Sequence, residues 1–304
     1  MLHDVIVVGA GFAGLSAAMQ LARARRSVLV IDSGLPRNRF AEASHGFLGQ
    51  DGKAPFDILR QAACQVAAYP TVEIVRGEAL DARRDADGDF IVQIAGGRAA
   101  RARRLVLATG VADTLPDVPG LKERWGGTVL HCPYCHGYEV RDRPLGVLAN
   151  HPMAAHQAAM IPDWGPTTLF TQGRFEPDAD QLAHLAARGV TIEREPVVAL
   201  LGEAPALDGV RLADGRVVTV NALFVAPSTR MASPLAARLG CAFDDGPLGP
   251  VIRTDDWKAT SVAGLYAAGD AARAMHNATL ASADGVLAGV GAHQSLIREV
   301  ARAA

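Results

Sequence analysis

The sequence predicts an α/β fold built as two three-layer domains. Three observations lead there. The chain has 304 residues, about twice a typical domain of ~150. A short apolar run, Val5 to Val8, meets a glycine-rich turn, an Ala-rich segment of helical spacing and a second apolar run that ends at Asp32. That succession is strand, helix, strand. Aromatic residues are only 5% while Ala and Gly are abundant, which suits close helix–sheet packing better than a β-sandwich.

Composition narrows the function. Apolar residues are 49% and charged residues 20%, an ordinary soluble mix, and the chain is long enough to bury a core without staples. A net charge of −2 leaves no field to gather nucleic acid. The basic runs Arg23 to Arg26 and Arg98 to Arg104 read as solvated surface. Val5 to Ala22 is uncharged and near the length of a membrane span. It holds three glycines and Gln20, with no basic leader and no small-residue cleavage site. Neither a membrane nor a nucleic-acid partner is expected, and the expected location is the cytoplasm.

The N-terminal turn reads Gly9-Ala-Gly11-Phe12-Ala13-Gly14. In a G-x-G-x-x-G between strand and helix, Gly9 permits the tight turn. Gly11 lets a pyrophosphate approach the backbone, and Gly14 lets helix and strand pack closely. The helix N-terminus offers N–H groups to phosphate, and Asp32 can accept hydrogen bonds from a ribose. Strand, helix, second strand and acid together make this a dinucleotide site. Phe12, Ala13 and Ser33 fall beside these groups.

The segment His131-Cys132-Pro133-Tyr134-Cys135-His136-Gly137-Tyr138-Glu139 carries the redox chemistry. C-x-x-C at the start of a helix brings two sulfurs within disulfide reach, and the helix N-terminus favours a thiolate. His131 and His136 can move protons near neutral pH. Four readings compete: a redox-active disulfide beside a flavin, an attached c-type haem, a structural zinc, and inert thiols. Haem attachment generally needs export, and zinc lacks a second cysteine pair. No metal is therefore expected. Cys64 and Cys241 read as small buried hydrophobes.

Two later strands end in Ala108-Thr109-Gly110 and Gly269-Asp270. With the N-terminal turn, they resemble flavoproteins with two dinucleotide-binding, Rossmann-like domains. With the cysteine pair about 20 residues past Gly110, nearly the whole chain resembles the low-molecular-weight thioredoxin reductases. The resemblance implies an FAD domain of residues 1–113 and 243–304 and an inserted Cys-pair domain of residues 114–242. It implies that the first glycine turn holds FAD and that Asp270 binds the ribityl chain. It also implies that the helix beginning at Asn277, Ala278 and Thr279 points its N-terminus at the flavin ring. Ala79 falls near the adenine contact. Asn38 and His45, in the loop after the second strand, are candidates for polar contacts near the flavin. A homodimer is implied as well.

Two departures matter. After the Cys pair the family carries a second glycine turn, for NADPH. Here Leu145-Gly-Val-Leu-Ala149-Asn150-His151-Pro152 places Ala149 and His151 where the critical glycines belong, and Pro152 lacks an N–H. The basic cluster that meets the 2′-phosphate is reduced to Arg174. NADPH binding is thus expected to be degraded. The second departure is His136, where the reductases usually have an acid. Cys-His-Gly-Tyr-Glu resembles the dithiol oxidases of gliotoxin-, holomycin- and romidepsin-type metabolites. The resemblance implies Cys132 as the thiol exchanging with substrate and Cys135 as the one facing flavin. The expectation is an FAD-dependent thiol–disulfide oxidoreductase acting on a small dithiol or disulfide, or on a thioredoxin-like protein. An NADPH-driven reductase and a non-enzymatic flavin redox sensor are the alternatives.

Overall fold

The structure, a computed structural model, describes residues 1–303, with side chains to residue 299. Along the chain run β1 (Leu2–Val8), α1 (Phe12–Arg23), β2 (Val28–Asp32), α2 (Pro55–Ala67), β3 (Val72–Arg76), β4 (Ala79–Arg84), β5 (Phe90–Ile94), β6 (Arg98–Leu107) and β7 (Val111–Thr114). Then follow β8 (Val129–Leu130), α3 (Pro133–His136), β9 (Leu145–Leu148), α4 (Ala154–Met160), β10 (Thr167–Phe170), α5 (Ala179–Ala187) and β11 (Thr191–Glu193). β12 (Val197–Leu201), β13 (Gly209–Leu212), β14 (Val217–Val218), β15 (Ala222–Val225) and β16 (Ser228–Met231) come next. The chain closes with α6 (Leu235–Arg238), β17 (Phe243–Asp245), β18 (Pro250–Ile252), β19 (Leu265–Ala267) and α7 (Ala278–Ala303).

Two compact units form. The first comprises residues 1–39, 56–112 and 229–304, the second residues 40–55 and 113–228. Both crossings after residue 112 fall within β7 and β16, which pair with each other. The chain returns to the first unit at Thr229, earlier than the expected residue 243. The reason is packing: Met231, Leu235, Ala236, Leu239 and Cys241 join the core beneath the sheet of the first unit. Residues 40–55 group with the second unit, where a side chain on Gly126 would strike the Phe40 backbone.

In the first unit a parallel sheet runs β3-β2-β1-β6, with β19 beside the end of β6. The start of β6 turns into an antiparallel meander with β5 and β4. Val5, Val7, Val28 and Val30 face one apolar layer with α1 and α7, while Ile6, Val8, Leu29 and Ile31 face the other. Alternation of that kind, apolar on both faces, is what a strand covered on both sides requires.

α1 and α7 meet at glycines. A Cβ on Gly285 would overlap the carbonyl oxygen of Ala13, and one on Gly289 would lie 2.7 Å from that of Ala17. Two residues of α7, one turn apart, thus let α1 pack backbone to backbone.

The second unit repeats the plan with a parallel sheet ordered β11-β10-β9-β15-β8. A separate antiparallel sheet of β12, β13 and β14 packs beside it through Leu200, Val210 and Leu212. α5 begins with a capping box between Asp178 and Gln181, and Gly189 follows at φ +70°, so both ends of the helix are closed locally. Cys241 is buried, as expected, but Cys64 is exposed; it sits on the outward face of α2, whose inward face is Ile58, Leu59 and Val66.

Gly285→Ala should cost about 1–3 kcal/mol from overpacking, beyond the ~1 kcal/mol that alanine gains in a helix. Gly289→Ala should cost less. Urea denaturation of both variants beside wild type measures the difference; equal stabilities would refute the backbone-contact account.

Candidate functional site

The two glycine-turn positions of this chain have opposite construction. At the first, Gly9 lies at φ +102°, and a Cβ there would overlap the Ala108 carbonyl. A Cβ on Gly14 would overlap the Gly9 carbonyl, so strand, turn and helix are locked together. A Cβ on Gly11 would meet nothing within 4 Å. Gly11 is the N-cap of α1, with no side-chain cap and no acid in the first turn. Open space before an uncapped helix N-terminus fits a pyrophosphate. Phe12 is half-buried and Ala13 buried at the start of that helix.

Asp32, at the end of β2, accepts from the Gly34 N–H at 3.0 Å and from Arg76 at 3.0 Å. Arg76 ends the neighbouring strand β3 and packs against Gly34, whose φ is +71°. Ser33 beside it is exposed. Thr109 and Gly110 follow β6, Gly110 at φ +67° with open space beside it. Ala79 is buried where β4 starts, and Asn38 is half-buried in the loop after β2.

Gly269 and Asp270 stand where β19 runs into a 3-10 turn, Gly269–Ala272. Asp270 pairs with Arg37 at 2.9 Å, and Arg37 also lies 2.7 Å from the His276 ring. Arg37 was missed as a site residue; its signal was the arginine within Pro36-Arg37-Asn38-Arg39. Asn277 caps α7, its Oδ1 accepting from the N–H groups of Thr279 (2.8 Å) and Leu280 (3.3 Å). Asn277 therefore works on the helix end, and Ala278 opens the helix.

A buried carboxylate fixes this corner. Asp284 is 1% exposed, one turn and a half into α7. It takes Lys258 at 2.8 Å and the two guanidinium nitrogens of Arg273 at 2.8 and 3.1 Å. Arg273 lies between Asp270 and Asn277, so the ion pair ties that segment to α7. A buried charge with two hydrogen-bonded partners is costly to unbalance.

The second position is closed by its own residues. After β9, Asn150 donates from its side chain to the Ala226 carbonyl at 2.8 Å. The His151 ring accepts the Met153 N–H at 3.2 Å, and the His151 carbonyl accepts the Ala154 N–H at 3.0 Å. Pro152 brings no N–H. The N–H groups of Met153 and Ala154 are thus already engaged. Arg174 is exposed.

Cys132 and Cys135 are joined in a disulfide with Cα atoms 5.3 Å apart. Cys132 is the N-cap and Pro133 the first residue of α3. α3 is only 4 residues long, a correction to the expected helix: a single turn gives the thiolate little macrodipole. What the turn gives is placement. The Gly137 N–H closes onto the Pro133 carbonyl at 2.7 Å, and a Cβ on Gly137 would strike the Trp164 ring. Tyr134, between the cysteines, is 71% exposed and sets its edge against Trp164 at 5.7 Å between centroids. Upstream, Gln157 of α4 donates to the His131 carbonyl at 3.0 Å, steadying the approach to Cys132.

His136 is the titratable group that the fold perturbs here. Burial pushes its pKa below the ordinary 6.5, with His45 pushing the same way and Glu139 opposing. His136 is neutral at pH 7 in consequence, in the state that accepts a proton. His45 stands in the second unit with Glu139, 3.7 Å from its carboxylate. Sequence reading passed over Glu139. Its signal was its place three residues beyond His136.

Residues 3–159 and 169–285 match the family described as pyridine nucleotide-disulphide oxidoreductase. The thioredoxin reductase tcpT of Claviceps purpurea is 33% identical, over 98% of this chain and 95% of that protein. The crystal structure of an oxidoreductase from Agrobacterium tumefaciens superimposes with a TM-score of 0.93 at 51% identity, over 98% of this chain and 99% of that one. That of HlmI does so with a TM-score of 0.92 at 40% identity, over 99% and 95%.

Asp284→Asn should lower stability by about 3 kcal/mol, because Lys258 and Arg273 lose their shared counter-charge. It should also weaken flavin retention. Flavin absorbance per protein after gel filtration, with a urea titration, checks both; full flavin content at wild-type stability would contradict the assignment.

Proposed function

The chain belongs to the pyridine nucleotide-disulphide oxidoreductase family, and from that premise we propose that it is an FAD-dependent oxidase of small dithiols, working through Cys132 and Cys135 without NADPH. That it is an enzyme of the thioredoxin reductase-like disulfide oxidoreductases rests on the family match and its relatives. The family also implies FAD. Gly9, Gly11 and Gly14 would hold its pyrophosphate, Asp32 a ribose, and Asp270 the chain between phosphate and flavin. Bound FAD supplies a two-electron acceptor for the reduced cysteine pair.

The observation that carries the reading is the contrast between the two turns. One has open space and an uncapped helix end. The other has its donors taken by His151 and a proline in place of a further one. A phosphate entering there would first have to displace those hydrogen bonds.

The chain's own groups then do the following. Cys132 exchanges with a substrate sulfur, breaking the Cys132–Cys135 bond. The second substrate sulfur closes the substrate disulfide and leaves two reduced cysteine sulfurs. His136, neutral at pH 7, takes the proton released beside Cys135. Tyr134 between the cysteines and Tyr138 just beyond them are exposed and suit a small apolar dithiol.

Anaerobic mixing tests this. A small dithiol should bleach the flavin and oxygen should restore it, while NADPH should leave it yellow. Bleaching by NADPH would turn the reading to a reductase. Cys132→Ser and Cys135→Ser should each abolish dithiol turnover; a flavin sensor would have no turnover to lose. The dithiol rate should fall in acid, as pH drops through the His136 pKa, which lies below 6.5. An acid limb unchanged in His136→Asn would remove His136 from the role.

A further inference from the structure

We propose that Gln157 is a positioning residue for the cysteine pair: by holding the His131 carbonyl it fixes Cys132 for exchange with a substrate sulfur and favours the closed disulfide. The proposal rests on the thiol–disulfide reading above. In that reading a substrate thiolate attacks the Cys132 sulfur, and the Cys135 sulfur leaves with the bonding electrons. The second substrate sulfur then displaces Cys132 from the mixed disulfide. One S–S bond forms for the one that breaks, two electrons reach the cysteine sulfurs, and the two substrate protons end on them. Both steps need the Cys132 sulfur in line with the reacting bond, so the rate depends on the backbone that carries Cys132.

β8 stays in register with β15 as far as the pair Leu130 and Phe224, and His131 lies beyond it. Cys132 is extended there, at φ −102° and ψ 115°, before the turn of α3. Gln157 meets the chain at this point, its Nε2 donating to the His131 carbonyl at 3.0 Å. The helix that brings it is anchored. α4 buries Ala154, Ala155, Ala158 and Ala159 beside Gln157, and these alanines share a core with Leu130, Leu145 and Phe224. Gln157 is 6% exposed, and among the described residues no donor reaches its buried Oε1. A buried amide oxygen without a donor costs stability, and a methionine of similar length would fill the same space without one. What the amide gives in return is its bond to the residue before Cys132.

Gln157→Met and Gln157→Asn test it. The first removes the donor, and the second keeps an amide one methylene too short. Each holoprotein, made anaerobic, is equilibrated in glutathione redox buffers, and the cysteine pair is read by alkylation mass. Loss of the hydrogen bond should make the pair about threefold to tenfold easier to reduce, a rise of about 14–30 mV in its potential. The rate at which dithiothreitol opens the disulfide, read by rapid alkylation, should fall about threefold or more. His156→Ala, at an exposed neighbour on α4, should leave both readings unchanged. The urea midpoint of Gln157→Met should stay near wild type, since the buried acceptor goes with the donor. A potential or a rate at the wild-type value in both variants would overturn the proposal whatever happens to stability, and failure of both to fold would do so too. A wild-type disulfide that dithiothreitol leaves closed would overturn the redox reading and this proposal with it.

Discussion

Where Gly14 meets the carbonyl of Gly9, and Gly285 meets the carbonyl of Ala13, three elements come into backbone contact: β1 with its turn, α1, and α7. No side chain fits between them. That contact fixes the direction of α1, and so where its uncapped N-terminus points. It also fixes α7, and through Asp284 the segment that bears Asp270 and Asn277. A dinucleotide binds to backbone N–H groups and a few polar side chains, so small errors in helix direction would disperse them. The glycines make that error small.

The same fold plan serves a different end in the second unit. The β9 turn carries Ala149 and His151 where the first unit's turn has glycines, and Asn150 and His151 make internal hydrogen bonds there. Asn150 donates to the Ala226 carbonyl and the His151 ring accepts the Met153 N–H. What the unit keeps is a rigid parallel sheet, and on it a one-turn helix with a disulfide. Gln157 and Trp164 hold that turn from beneath and beside. Rigidity matters here because a disulfide can exchange only with a sulfur that arrives in line with the bond, so the scaffold orients the target.

His136 shows how environment sets a role. An exposed histidine would be part charged at pH 7. Burial keeps this one neutral, and Glu139 limits how far the shift goes. Such a group is free to take a proton and not so weak a base that it cannot hold one.

The local features were legible in the sequence. The glycine turn, its flanking strands and the C-x-x-C each lie within a few adjacent residues, where backbone sterics and hydrogen-bond chemistry act directly. What lay between distant segments was not legible. Arg37 reaching Asp270, Arg76 reaching Asp32, Asp284 holding Lys258 and Arg273, and His45 beside Glu139 all join parts of the chain far apart in sequence. Periodicity carries no information about such pairs, because long polar side chains find partners only after the sheets have set their positions. The exposure of Cys64 and the brevity of α3 were decided the same way, by which face of a helix the core covers and by what packs at its end. The sequence by itself determined the chemistry available to this protein. The tertiary structure decided which charges that chemistry works beside.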